Sequence, residues 1–172
     1  LSVLSRSLVD SKVKPSVVND LKHVYKPLDD IVIHNQGGYL QLYLTEGDIN
    51  VSAKRLSDGT LRYLFLLALL LDDSPPKLIC IEEPEIGLHP DLIPKLADLL
   101  KEASERTQII ITTHSDILVD EMTDTPESIL VCEKEEGETK VKRLNKDQLA
   151  HWLEDYRLGE LWLSGEIGGN RW

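Results

Sequence analysis

Apolar and polar positions along this chain follow two different periods. From Leu92 through Ile93, Leu96, Leu99, Leu100 and Ala103 the apolar residues recur every three or four positions, which predicts an amphipathic helix from Pro90 to about Ser104. Pro90 suits the first turn of such a helix. On either side the pattern changes to short continuous apolar runs. Leu78-Ile79-Cys80-Ile81 lies between Pro75-Pro76 and Pro84, and Gln108-Ile109-Ile110-Ile111-Thr112 follows the helix. Runs this short, bounded in this way, read as buried parallel strands. Strand, crossover helix and strand then make a βαβ unit. A further helix, from about Leu61 to Leu71, is apolar almost all round and is expected to be buried on more than one side. Asp72-Asp73-Ser74-Pro75-Pro76 stops it.

The flanks are patterned more weakly. Val3, Leu4, Leu8, Val17, Val18, Leu21 and Val24 suggest one or two short helices within Leu1–Lys26, broken at Pro15, with Ser16 or Asn19 as a cap. Asp30–Ala53 predicts an antiparallel hairpin: Ile31-Val32-Ile33, the turn Asn35-Gln36-Gly37-Gly38, a strand through Leu44, and a second turn at Glu46-Gly47-Asp48. Ser128–Cys132 and Thr139–Leu144 predict a second hairpin around Glu135-Glu136-Gly137-Glu138, extending the sheet at its edge. Asn145 or Asp147 is expected to cap a last helix, Asp147–Tyr156. The tail from Leu158 to Trp172 carries Trp162, Trp172 and four glycines, and is expected to dock on the body.

Composition narrows this picture. The 172 residues suffice for one domain with a sizeable core, and 41% of them are apolar, as in globular proteins. The net charge of −11 argues against a broad nucleic-acid face, which needs clustered Lys and Arg. It leaves room for a local basic patch. Cys80 and Cys132 each sit in an apolar run without paired spacing, so reduced, buried thiols in a cytoplasmic protein are expected. The longest apolar run, Leu64–Leu71, is far short of a membrane span. Residue 1 is Leu and the single Met is Met122, which suggests a piece of a longer product or a cleaved one.

Candidate chemistry concentrates at strand ends. Glu82 and Glu83 follow the first apolar strand directly, where open α/β sheets place their ligands. Adjacent carboxylates raise one another's pKa, and a divalent cation would offset that cost. One acid would hold Mg²⁺ and the other would polarise a water. The plain alternative is a strand that ends in a solvated acidic turn. Upstream, Ser57 and Asp58 are good N-cap residues for the Leu61–Leu71 helix, and Gly59 lets a ligand approach the backbone. A helix start of this kind attracts anions, although an ordinary capped core helix has the same pattern. Arg62, one turn in, faces either a nucleotide or solvent. His114 follows the second strand, either as a structural hydrogen-bonding residue or as a donor to a developing phosphoryl charge.

Taken together, the order is specific. Leu56-Ser57-Asp58-Gly59-Thr60 resembles the ABC signature LSGGQ, and Leu78–Glu83 resembles Walker B with its catalytic glutamate. Glu85–Pro90 resembles the D-loop, and His114 the switch histidine. The chain thus resembles the C-terminal half of an ABC-type ATPase head of the RecF/SMC branch of P-loop ATPases. The motifs cover roughly Arg55–Asp116; the rest matches in general layout. The resemblance implies an α/β, partial P-loop NTPase fold with a parallel sheet core and flanking helices. It implies a helical and hairpin lobe over 1–55, the motif-bearing core over 56–125, and an edge hairpin, last helix and tail over 126–172.

It also implies ATP as substrate, Glu83 as general base or water-orienting group, Glu82 as the Mg²⁺ residue and His114 as a γ-phosphate contact. Ser57 and Gly59 would meet the γ-phosphate of ATP held by a second subunit, with Asp58, Arg62 and His89 beside the nucleotide. Four positions depart from the family pattern. Asp58 and Thr60 replace a Gly and a Gln of the signature, Glu82 replaces an Asp, and His89 stands where the D-loop usually has Asp. No GxxxxGK[ST] loop occurs in the sequence. The resemblance places that loop in an N-terminal half, so a complete site would need that half and a homodimer sandwiching ATP. The other reading is a non-catalytic interaction module derived from such an ATPase.

Overall fold

The computed structural model describes residue 8 and residues 12–169. The chain divides into two compact units, Leu1–His89 with Asp98–Ile111, and Pro90–Ala97 with Thr112–Trp172.

In the first unit, helix α1 spans Lys14–Leu21 and buries Val17 and Leu21. Pro15 does not break it. It sits in the first turn, where a missing N–H costs no hydrogen bond, and Val13 occupies the cap position in place of Ser16 or Asn19. The expected apolar positions Val3 and Leu4 lie outside the described residues. Strands β1 (Asp30–Gln36) and β2 (Tyr39–Glu46) form the expected hairpin, with Gln36 opposite Tyr39. Gly37 and Gly38 close it at φ of 59° and 84°, a turn open to glycine and strained for most side chains. A third strand, β3 (Ile49–Ser52), pairs antiparallel with β2, so the hairpin is widened to three strands. A 3₁₀ turn at Ala53–Arg55 delivers the chain to Leu56.

Helix α2 spans Asp58–Leu70 and packs on α1. Tyr63, Leu64, Leu66, Leu67, Ala68 and Leu70 are buried, while Phe65 remains 44% exposed. The expected burial on more than one side therefore holds. Its end is tied down by Arg106 Nη2, which donates to Leu70 O at 2.8 Å. Strands β4 (Leu78–Glu82) and β5 (Gln108–Thr112) pair in parallel, joined through helix α3 (Ile93–Ser104). The predicted stripe of α3 is buried, with Leu96 fully so.

The strand pair itself departs from expectation. Ile79 is buried and Ile81 and Ile109 are half-buried, but alternate residues face solvent: Leu78 is 46% and Ile110 50% exposed, and Cys80 is exposed as well. Side chains alternate across a strand, so one whole face of the pair is bare. The continuous apolar pattern suited burial on both faces, and among the described residues one face is covered. Cys80 and Cys132 are thus exposed free thiols, not buried ones.

In the second unit, helix α4 (Asp116–Asp120) is capped by Ser115, whose Oγ accepts from Leu118 N at 3.2 Å. Strands β6 (Leu130–Glu135) and β7 (Glu138–Arg143) form the second hairpin, turned at Glu136 (φ 50°) and Gly137 (φ 90°). Among the described residues this antiparallel ladder is two strands wide. The charged residues of β7, Glu138, Lys140, Lys142 and Arg143, leave an edge that discourages further pairing. Asn145 caps as expected, but helix α5 ends at Leu149 and the chain continues as a 3₁₀ turn, Trp152–Glu154. So short a helix is not self-sustaining, and the packing of Leu149 and Leu153 on the core sets the path instead.

The tail docks, and it does so through a helix the pattern did not announce, α6 (Leu158–Ser164). Leu158, Leu161 and Ile167 join Val119, Val131 and Leu144 in one buried cluster. Gly159 lies against α4 so closely that a Cβ there would come within 2.5 Å of Asp116 O. Trp162 Nε1 donates to Gly169 O at 2.7 Å, and Gly169 N donates to Glu133 Oε1 at 2.8 Å. Trp172 lies outside the described residues.

Candidate functional site

Within the first unit the candidate residues are built on two elements, the start of α2 and the end of β4. Ser57 is the N-cap of α2: its Oγ accepts from Thr60 N at 3.1 Å and lies 2.8 Å from Thr60 Oγ1. That cap fixes the backbone N–H groups of the first turn at the exposed end of the helix, where an anion is favoured by about 0.3–1 kcal/mol per charge. Ser57 and Asp58 are exposed and Thr60 is buried beneath them.

β4 ends at Glu82, and the next residue breaks the strand. Glu83 adopts φ of 43°, one of two non-glycine residues at positive φ among the described residues. A left-handed backbone costs a residue with a Cβ about 1–2 kcal/mol, so it persists where surrounding contacts enforce it. Two contacts do so here. Glu83 O accepts from Ile86 N at 3.1 Å, closing a turn. Arg62 Nη2, from α2, donates to Glu83 O at 2.6 Å and to Glu82 O at 3.2 Å. Arg62 is thus turned toward the strand end. The Glu83 side chain is half-buried and Glu82 is exposed.

The loop beyond these acids returns to the helix start. Leu88 N donates to Glu85 O at 3.0 Å, Gly87 sits at φ of 76°, and a Cβ on Gly59 would lie 2.3 Å from Gly87 O. Only a residue without a side chain fits at Gly59. Sequence reasoning named Gly59 but missed Gly87, its partner in this contact. Its signal was a glycine in a short loop directly after paired acids. His89, exposed, follows two residues later. Arg62, Gly59, Glu82, Glu83 and the Glu85–His89 loop are therefore gathered in one unit. His114 is exposed in the second unit, beside Thr113, whose Oγ1 accepts from Ser115 N at 3.0 Å.

Among the described residues no group of three or more His, Cys, Asp or Glu side chains could hold a metal alone. An isolated carboxylate at a strand end is nevertheless the donor set that suits Mg²⁺, which keeps several waters and takes its remaining oxygens from substrate phosphates. Among the described residues no helix is long and apolar enough to cross a membrane.

Solved SMC head structures share this fold. An SmcHead bound to the C-winged helix domain of ScpA superposes with a TM-score of 0.64 at 18% identity, over 81% of this chain and 44% of that one. A chain from a study of ATP-driven dimerization and DNA-stimulated activation of SMC ATPases gives 0.53 at 17% identity, over 84% and 92% respectively. The SMC head domain from Thermotoga maritima gives 0.53 at 16% identity, over 84% and 51%. The chain thus spans less than half of the first of these and about half of the last. A comparison with curated proteins found no match. These likenesses establish an ABC/SMC-like P-loop NTPase fold. The pattern of one family matches residues 6–120, more than half of the chain, and the chain belongs to that family: AAA domain, putative AbiEii toxin, Type IV TA system.

Proposed function

We propose that this chain supplies the Walker B, signature and D-loop side of a Mg²⁺-dependent ATP-hydrolysing site in a cytoplasmic protein. An N-terminal P-loop half and a second copy of the chain complete that site. The observation that carries this reading is the turn at Glu83. A left-handed glutamate at the carboxyl end of a parallel strand, held by the helix that follows the signature loop, is a costly arrangement of the kind that clusters at functional sites.

Phosphoryl transfer to water is mostly positioning and charge stabilisation. In this reading Glu83 accepts a proton from, or orients, the attacking water. Glu82 holds Mg²⁺ through water, and the ion neutralises charge on the phosphates when bound. Ser57, Asp58 and Gly59 present the α2 N-terminus to a γ-phosphate held by the partner copy, His89 lies beside that junction, and His114 contacts the γ-phosphate. The bare face of β4 and β5 supports a further covering layer, the place of the P-loop half. One solved relative is described by ATP-driven dimerization, which agrees with a two-copy site. The charge of −11 gives no support for nucleic acid as a partner of this piece.

The second reading is a non-catalytic interaction module. His89 in the D-loop and Asp58 in the signature favour it, because both replace residues the family uses at the subunit junction. One experiment separates the two: this chain joined to its P-loop half is assayed for Mg²⁺-dependent phosphate release. Hydrolysis above that of a Glu83→Gln control supports the ATPase; equal rates support the module.

A further inference from the structure

The guanidinium of Arg62 grips two consecutive carbonyls, Glu82 O and Glu83 O, at the point where β4 gives way to the left-handed residue. Hydrogen bonds from a charged donor are shorter and about twice as strong as neutral ones, and the 2.6 Å contact belongs to that class. It adds to the Ile86 N to Glu83 O bond that closes the turn. The direction of the Glu83 Cα–Cβ bond follows from its backbone, so whatever fixes φ at Glu83 also fixes where its side chain leaves the strand end. Arg62 stands on α2, five residues beyond the Ser57 cap, and a helix moves as a rigid element.

We infer that Arg62 is a positioning residue for Glu83, setting where its side chain leaves the strand end and tying that backbone geometry to the position of the signature helix. This rests on the ATPase reading above and goes beyond it: Arg62 acts through Glu83 and does not bind the nucleotide. The start of α2 would meet ATP held by the partner, while Glu83 serves ATP held by its own chain. Arg62 is then the link through which occupancy of one site reaches the catalytic group of the other.

The test uses the complete protein with its P-loop half. Arg62→Ala, Arg62→Lys, Glu83→Gln and the double variant Arg62→Ala/Glu83→Gln are compared for kcat, ATP binding and thermal midpoint. Arg62→Ala is expected to lower kcat about 10- to 100-fold, the range set by misplacing a reacting group by about 1 Å. ATP affinity should stay within about 3-fold, since no ground-state contact to the nucleotide is lost. Arg62→Lys should recover part of the rate, and it carries the test if the alanine variant unfolds. The double variant should be no slower than Glu83→Gln alone, because residues that act as a unit are not additive. A kcat for Arg62→Ala within about 2-fold of the parent, a loss of ATP affinity matching the loss of rate, or additive losses would overturn the inference. If Glu83→Gln alone keeps the parent rate, the ATPase reading fails first, independently of Arg62.

Discussion

Gly59 and Gly87 meet backbone to backbone: a Cβ on Gly59 would stand 2.3 Å from Gly87 O. The contact joins the first turn of α2 to the loop after the acidic strand end. No flexible side chain is available to give way, so one of two backbones must move. Elsewhere in a helix, Ala would be favoured over Gly by about 1 kcal/mol. Here the clash outweighs that gain. Gly59→Ala is expected to destabilise the protein by about 1–3 kcal/mol, the range for forced overpacking, read as a lower denaturant midpoint at unchanged slope. A stabilised variant would show that the two loops are not in contact.

Glu83 trades stability for position. At φ of 43° its backbone is strained, and glycine would remove the strain while adding about 0.5–1 kcal/mol of unfolded-state entropy. Glu83→Gly is therefore expected to be as stable as the parent or more stable by about 0.5–1 kcal/mol, and inactive. Chemical denaturation checks the first part and phosphate release the second. A clear loss of stability would mean that the glutamate side chain itself holds the turn.

Tyr63 supplies a pH dependence from inside α2. The side chain is 1% exposed, and burial, with the nearby Asp20 charge adding to it, pushes its phenol up from 10.0 to about 12. The folded state thus holds its proton more tightly than the unfolded chain. Its contribution is fully present below pH 10 and is lost as pH rises toward about 12, by on the order of 2 kcal/mol. Tyr63→Phe should flatten the alkaline limb of a stability–pH curve. An identical limb in parent and variant would place the titration elsewhere.

The helices and strands that carry the chemistry were legible in sequence because their signals are local. Ser57 caps, the α3 stripe repeats at helical spacing, and prolines bound β4. What the pattern could not give is what depends on distant partners. The apolar run Leu78–Ile81 reads as buried on both faces, because periodicity reports what a strand is suited to and not what covers it. Pro15 reads equally as a break or as a first-turn residue, and packing of Val17 and Leu21 decides. The tail helix Leu158–Ser164 is too short to announce itself and is held by Leu158 and Leu161 in the core. In the site, Glu82, Glu83 and Gly59 stood out by type and spacing. The grip of Arg62 on two carbonyls and the role of Gly87 did not, since backbone acceptors and positive φ leave almost no trace in residue identity.

In the proposed site Glu83 is the group that turns a bound nucleotide over. Glu83→Gln keeps the size and most hydrogen-bonding capacity of the side chain and removes the negative charge. In the complete protein, single-turnover phosphate release with Mg²⁺ and ATP should fall by about 10²-fold or more, the scale of a lost general base, while ATP remains bound and the protein sediments as a nucleotide-dependent dimer. Release at the parent rate, with no ATP retained on the protein, would contradict the account.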